Sequence, residues 1–297
     1  FNDFALFLIK ETSKNGFSPQ YTHIVVDEAQ DLNKAQIIAI SNLVKDDTRS
    51  LSIIADAAQR IYKSGFTWSE VGLNVRGGRT VELSRNYRNT LPIAKAARSL
   101  LMNEDDTSEF TSNERAKGDG NKPKRVDFTD WDSQMHFVCN EISNIDYNNN
   151  TVVLLTRRRS ILPTIIQYLE NAGISAEEIT NQQTNFRAQT IKVCTLSSIK
   201  GLEFDYVFIL DLNDDNIPFP PGFSDENDEF HISTERRLLY TAMTRACKML
   251  YTLTSNANPT RYLSEINPDL MRLRLDLIDE EVTELKEAIK TRDITEM

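Results

Sequence analysis

Cysteine is scarce: Cys139, Cys194 and Cys247 are the only three in 297 residues, and no two form a CxxC pair. That spacing argues against a thiolate zinc site and against a disulfide framework, and it suits a reducing cytoplasm. No apolar run approaches the roughly 18 residues that a membrane span needs. The opening residues, FNDFALFLIKE, carry neither the basic leader nor the cleavage site of a secretory signal. No membrane partner is therefore expected. Glycine and proline number only ten and nine, too few for a low-complexity chain. Positive charge is short as well, with 34 Lys and Arg against 44 Asp and Glu and a net charge of -10. Taken alone, this argues against a nucleic-acid partner, because phosphate binding draws on Lys and Arg. The sum hides local clusters, however: Arg85, Arg88, Lys95 and Arg98 gather in one stretch and Arg157, Arg158 and Arg159 in another, while acids concentrate in 211–231 and in the C-terminal tail.

What the chain has is a regular alternation of strand-like and helix-like stretches, in a length that accommodates two ordinary domains. In YTHIVVDEAQDL, residues 21–32, the β-branched run predicts a short buried strand over 23–26 that stops on Asp27 and Glu28. Adjacent carboxylates at the carboxyl end of a buried strand lie where α/β sheets place ligands. Such a tip can hold a hydrated Mg²⁺ through one carboxylate and leave the other to act on water. A strand running into an Asp- or Asn-capped helix would look the same. Apolar spacing predicts a helix over 34–44, and 50–55 returns to a strand with Asp56 at its tip. The Arg-Gly-Gly-Arg turn that follows places a domain boundary near Gly77.

Beyond it, 80–84 is expected as a strand, and a helix begun by Thr90 and Pro92 buries Ile93, Ala96, Ala97, Leu100 and Leu101. Residues 103–124 look like an exposed polar loop. Trp131, Met135, Val138, Ile142 and Ile145 mark an amphipathic helix. A buried strand over 151–155 leads to a helix capped by Ser160 and ended by Gly173. Strands over 191–196, 206–210 and 249–253 and a helix over 235–246 complete a parallel α/β pattern. After Asn267 and Pro268 a long helix to about Lys290 is expected. Met271, Leu275, Ile278, Val282, Leu285 and Ile289 would form a coiled-coil-like seam on it, docking on its own domain or on a partner.

Five stretches in this order carry a resemblance. VVDEAQDL (25–32), ADAAQRIY (55–62), LSRNYRNT (83–90), TLSSIKGLEFD (195–205) and ERRLLYTAMTRA (235–246) resemble motifs II to VI of the UvrD/Rep-like superfamily 1 DNA helicases. The resemblance implies a P-loop NTPase (RecA-like) helicase fold with parallel sheets and flanking helices. It implies two RecA-like domains that clamp ATP and Mg²⁺ and move 3′ to 5′ on single-stranded DNA. Carried over residue by residue, Asp27 is the Mg²⁺-holding acid and Glu28 the base for the attacking water, in accord with the strand-tip reading and the needs of phosphoryl transfer. Gln59 senses the γ-phosphate, Tyr87 stacks on adenine, Arg88 and Arg245 reach the γ-phosphate, and Glu203 binds the ribose. Without the motifs, Gln59 reads as a polar helix cap and either arginine as a surface ion-pair partner. Phe66 and Trp68 stand where relatives stack bases, although YKSGFTW is out of the usual register and Trp68 reads equally as a core residue. Thr195, Ser197 and Lys200 lie in the DNA-contacting motif, with Ser197 where many relatives have His.

Two expected parts are missing. No GxxxxGK[ST] loop occurs, and GDGNKPK at 118–124 fails the spacing. No accessory insertion fits between the strand at 151–155 and the motif beginning at Thr195. The expected organisation is the C-terminal part of a truncated first RecA-like domain over 1–77, a second RecA-like domain over 78–257 and a helical tail over 258–297. On this reading the sequence is a fragment of a helicase, without ATPase by itself. The alternatives are a non-catalytic DNA-binding or scaffold subunit, and the motor half of a helicase–nuclease assembly whose nuclease or other protein partner docks on the C-terminal helix.

Overall fold

The computed structural model describes residues 2–48, 50–55, 68–74, 79–81, 86–102, 118–180, 184, 186, 188–220 and 228–275. The chain forms two compact units, residues 1–83 with 108–111, and residues 84–107 with 112–297. Gly77 lies outside the described residues.

In the first unit, α1 (Asn2–Thr12) and α2 (Lys34–Ser41) pack together, tied by a hydrogen bond of 2.9 Å from Asn42 Nδ2 to Thr12 Oγ1. Strand β1 (His23–Val26) runs parallel to β2 (Ser50–Ile53) in register His23 with Ser50. The ladder continues past both strands, since Ile54 N–H donates to Val26 O at 2.8 Å and Ala29 N–H to Ile54 O at 3.0 Å. Helix α2 starts with a reciprocal capping box. Asn33 Oδ1 accepts from Gln36 N–H at 3.0 Å and Gln36 Oε1 from Asn33 N–H at 2.9 Å, so two otherwise unpaired donors are satisfied.

The second unit comprises α3 (Leu91–Leu101), β3 (Lys124–Asp127), α4 (Trp131–Ser143), β4 (Val152–Thr156), α5 (Leu162–Asn171), β5 (Ala176–Glu178), β6 (Ile191–Thr195), β7 (Phe204–Ile209), α6 (Glu229–Met243), β8 (Ala246–Thr254), α7 (Arg261–Glu265) and β9 (Arg272–Leu275). Its seven strands form one parallel sheet in the order β5-β6-β4-β7-β8-β3-β9. Strands β4 and β6 are buried at every position; β4 (VVLLT) accordingly reads as an apolar run rather than an alternating one, whereas β6 (IKVCT) carries a buried Lys192 paired with Glu177. Leu154, Val193, Phe208 and Tyr251 share one core with Met135 and Val138 of α4 and Ile165 of α5, and the Phe208 and Tyr251 rings stack at 4.2 Å. By strand alternation Val153, Leu155, Val207 and Ile209 face the other side. There α3 and α6 pack on each other and on β8, with Ile93, Ala97, Leu100, Leu239 and Met243 buried.

The structure departs from the sequence expectations at several points. The helix expected from Asn267 onward is replaced at its start by a 3-10 turn at Pro268–Leu270 and then by β9, which pairs with β3. Met271 and Leu275 therefore belong to no helical seam, and the remaining seam positions lie outside the described residues. Ser160 does not cap α5: it sits inside a 3-10 turn, Arg159–Ile161, and Ile161 precedes the helix. The expected strand at 80–84 is irregular at Thr80 and Val81, and 82–84 lie outside the described residues. Strands β3 and β5 are additional to those expected, and β3 takes the last residue of the predicted polar loop. Gly173 does end α5, in the left-handed region at φ 75°, a conformation that costs glycine no Cβ clash.

Candidate nucleotide and nucleic-acid sites

In the first unit β1 delivers Asp27 and Glu28 to its carboxyl end, both exposed. Asp27 Oδ1 accepts Glu28 N–H at 2.9 Å, and Gln30 Nε2 donates to Glu28 Oε2. Glu28 has φ 53°, the left-handed region, so the chain turns sharply there and enters a 3-10 turn at Ala29–Asp31. A non-glycine residue held in that region stores strain of the kind that clusters at functional sites. The donor set fits a hydrated Mg²⁺, which needs only one or two carboxylates beside phosphate oxygens. Among the described residues no group of three or more His, Cys, Asp or Glu could hold a metal ion by itself. Gln59 and Phe66 lie outside the described residues. Trp68 begins a 3-10 turn, Trp68–Val71, and is half-buried.

In the second unit three of the four expected nucleotide residues converge at the amino-terminal ends of β7 and β8. Asn86 Oδ1 accepts the N–H groups of Arg88 at 2.9 Å and Asn89 at 3.1 Å, closing an Asx-type turn. Asn89, fully buried, donates through Nδ2 to Thr244 O at 2.9 Å and Ala246 O at 2.6 Å. This clamp fixes the turn against the α6–β8 junction. It leaves Tyr87 70% exposed and directs Arg88 Nε to Glu203 Oε2 at 2.7 Å, with the two side chains 35% and 61% exposed. The sequence expectations for Arg88 and Glu203 thus meet in one surface ion pair.

The Arg245 side chain is 1% exposed, and its Nε donates to Thr241 O at 3.0 Å. Nη1 reaches Leu202 O at 3.5 Å, beneath the residue that precedes Glu203. A guanidinium supplies five donors in a rigid fork, so buried backbone carbonyls can engage it fully. The Arg245 side chain is thus buried against backbone carbonyls at the start of β8. The residue that sequence reasoning missed is Asn89. Its signal was the NxxN spacing of Asn86 and Asn89 ahead of a helix start.

The DNA-contact candidates lie at the opposite ends of the strands. Thr195 closes β6, and its Oγ1 lies 3.0 Å from Ser197 Oγ and 2.8 Å from Ser198 Oγ. These hydroxyls line a groove of about 560 Å³ together with Arg157, Arg159 and Phe219. Arg157 forms a bidentate pair with Glu235 at 2.8 Å for both contacts, and its guanidinium lies 4.8 Å from the centre of the Phe219 ring. Arg159 pairs with Glu178 at 3.0 Å yet remains 78% exposed. Lys200 is half-buried on the turn beyond the groove. The 157–159 cluster was visible in the sequence, but its juxtaposition with Thr195 and Ser197 depends on β4 and β6 being neighbours in the sheet. The connection from Thr195 to Phe204 therefore runs from the end that carries the hydroxyls to the end that carries Glu203.

These features define a parallel α/β protein with an acid pair at one strand tip and a surface arginine–carboxylate pair beside exposed Tyr87. The sequence matches the UvrD-like helicase C-terminal domain over residues 81–187 and 164–257 and the UvrD/REP helicase N-terminal domain over residues 2–69. The chain belongs to the UvrD-like helicase family, and its fold is of the RecA-like helicase class. It is 24% identical to DNA helicase IV of Escherichia coli (strain K12) over 266 residues, covering 84% of this chain and 36% of that protein. It is 31% identical over 106 residues to ATP-dependent DNA helicase PcrA of Leuconostoc citreum, covering 32% of this chain and 14% of that protein. The chain thus spans little more than a third of the length of DNA helicase IV. Among solved structures, the C-terminal domain of a possible DNA helicase from Lactobacillus plantarum aligns with a TM-score of 0.49 at 21% identity, over 63% of this chain and 98% of that one.

Proposed function

We propose that the natural protein carrying this sequence is an ATP-dependent DNA helicase or translocase that moves 3′ to 5′ along single-stranded DNA. The 297 residues are proposed to supply part of its motor and to have no ATPase by themselves. The observation that carries this reading is the strained acid pair at the tip of β1 in a chain of this family. Asp27 is proposed to hold Mg²⁺. Its hydrogen bond to Glu28 N–H fixes the turn, and Gln30 orients the Glu28 carboxylate, which takes a proton from water. ATP, when bound, supplies the phosphoryl group and the free energy of its transfer.

In the second unit Tyr87 offers an exposed ring for adenine. Arg88 offers a permanent charge to phosphate once a ligand competes with Glu203, and Glu203 then becomes available to a ribose hydroxyl. Arg245 is proposed to reach the γ-phosphate, and its backbone-carbonyl contacts hold the turn that bears Glu203. Gln59 remains the proposed γ-phosphate sensor. For the nucleic acid, Thr195, Ser197 and Arg159 offer donors to phosphates and Phe219 an apolar ring, with Phe66, Trp68 and Lys200 as further contacts. A cytoplasmic location accords with the cysteine usage. Among the described residues no helix is long and apolar enough to cross a membrane.

The test is DNA-stimulated ATP hydrolysis by the natural protein with Arg88→Ala. This surface pair contributes only about 0–1 kcal/mol to stability, so an unchanged melting temperature with turnover reduced by roughly tenfold or more supports the reading. Unchanged turnover contradicts the role of Arg88, whereas absence of DNA-stimulated hydrolysis in the unsubstituted natural protein favours a non-catalytic, DNA-binding subunit.

A further inference from the structure

A second cleft lies on the α4 side of the sheet, at the amino-terminal ends of β3, β8 and β9, and nothing in the proposed motor chemistry uses it. Its volume is about 740 Å³, within the range of pockets that enclose small organic ligands. Four cations, Lys122, Lys124, Lys248 and Arg272, line it in a chain whose net charge is -10. Two of them are neutralised locally. Lys124 Nζ pairs with Glu141 at 2.9 Å, and Lys248 Nζ pairs with Asp205 at 3.0 Å.

The other two have no acidic partner among the described residues. Lys122 Nζ donates to a neutral carbonyl, Asp269 O, at 2.7 Å. The Arg272 guanidinium has no acidic partner among the described residues, although its backbone N–H is anchored to Pro123 O at 2.8 Å. Both side chains are exposed. Register places them together, because β3 and β9 pair with Lys124 opposite Arg272, two positions after Lys122. The lining between these cations and the core is aromatic and apolar, with Tyr206 half-buried, Tyr251 behind it, and Met249 and Met271 at the sides. The Tyr251 hydroxyl is already committed to Glu141 at 2.7 Å, so the ring rather than the hydroxyl is what a ligand meets.

Two cations without an acidic partner among the described residues, beside an aromatic wall, match a ligand that joins a phosphate to a flat apolar group. An acidic peptide would supply the charge without the flat partner. We propose that this cleft binds a nucleoside phosphate unit, either free or within a single strand. Lys122 and Arg272 hold the phosphate, and the base lies against Tyr206. Such a site lies at the strand ends opposite the Thr195–Ser197 groove, and on the α4 face of the sheet rather than the α3–α6 face.

The experiment uses the whole 297-residue chain carrying Arg88→Ala and Arg159→Ala, so that the nucleotide and groove contacts proposed above are already weakened. Lys122→Ala with Arg272→Ala is then added. Two probes are titrated separately, thymidine 5′-monophosphate and a short thymidine oligonucleotide containing 5-bromodeoxyuridine. The added pair is expected to weaken binding by about tenfold and to lower the salt slope by about 0.7 for each single-strand phosphate that is no longer neutralised. Weakening of both probes identifies a free-nucleotide site, and weakening of the oligonucleotide alone identifies a strand-borne one. Photo-crosslinks are expected at Tyr206 or in 249–251. Equal affinity for both probes with and without the pair, or crosslinks confined to 157–160, 195–198 and Phe219, would overturn the proposal.

Discussion

Asn89 organises the candidate nucleotide surface from a buried position. Its amide satisfies two buried carbonyls, Thr244 O and Ala246 O, while its own N–H closes the turn that presents Tyr87 and Arg88. Replacing it with alanine leaves both carbonyls without that donor. Asn89→Ala is expected to lower unfolding free energy by about 1–3 kcal/mol in urea titrations, and an unchanged midpoint would show that the turn is held otherwise. Glu177 gives a pH-dependent counterpart. The Lys192 ammonium, with Thr190 assisting against burial, holds its carboxyl below the ordinary value of 4.5. A carboxyl whose folded value is depressed contributes stability that is present above its unfolded value and is lost as pH falls through the folded one. The melting-temperature difference between the parent chain and Glu177→Gln should therefore persist at neutral pH and shrink below about pH 4.5; a difference independent of pH would contradict the pairing. At this scale the sequence was informative where motif order named residues, as with Arg88 and Glu203. It was silent on burial, as with the Arg245 guanidinium, which lies among backbone carbonyls.

Among the elements, the connection from β6 to β7 matters most for function, because its eight residues, 196–203, lead from the carboxyl end of one strand to the amino end of the next. Gly201 sits within it at φ 80°, with no atom within 4 Å of the position a Cβ would take. Its requirement is thus one of backbone alone. Gly201→Ala should destabilise by about 1–2 kcal/mol and lower the melting temperature by a few degrees; an unshifted melt would mean that the turn adopts another conformation. Strand β4 was legible because burial on both faces writes an apolar run, VVLLT. Helices α3, α4 and α5 were legible from their spacing. The edge elements were not. β5 is AEE and β9 is RLRL, and β3 is KRVD with Val126 as its one fully buried residue. Strands near a sheet edge face water and carry charge, so their sequences resemble loops. At Met271 and Leu275 the a/d spacing read as a helix, and pairing of Lys124–Asp127 with Arg272–Leu275 made that stretch a strand end instead.

Across the whole chain, a net charge of -10 coexists with local basic surfaces at the groove beside Arg159 and the cleft beside Lys122 and Arg272. Binding of a phosphate polymer should consequently be weak and strongly salt-dependent, since long-range attraction is absent while local contacts remain. Of the two acids at the tip of β1, Glu28 is proposed to activate water. Single-turnover and steady-state ATP hydrolysis by the natural protein, with and without single-stranded DNA, test it through Glu28→Gln. This substitution keeps the shape of the side chain and the acceptor oxygen for Gln30 but removes the base. DNA-stimulated hydrolysis is expected to fall by about 10²–10⁴-fold with nucleotide binding retained. Turnover equal to that of the unsubstituted protein would contradict it.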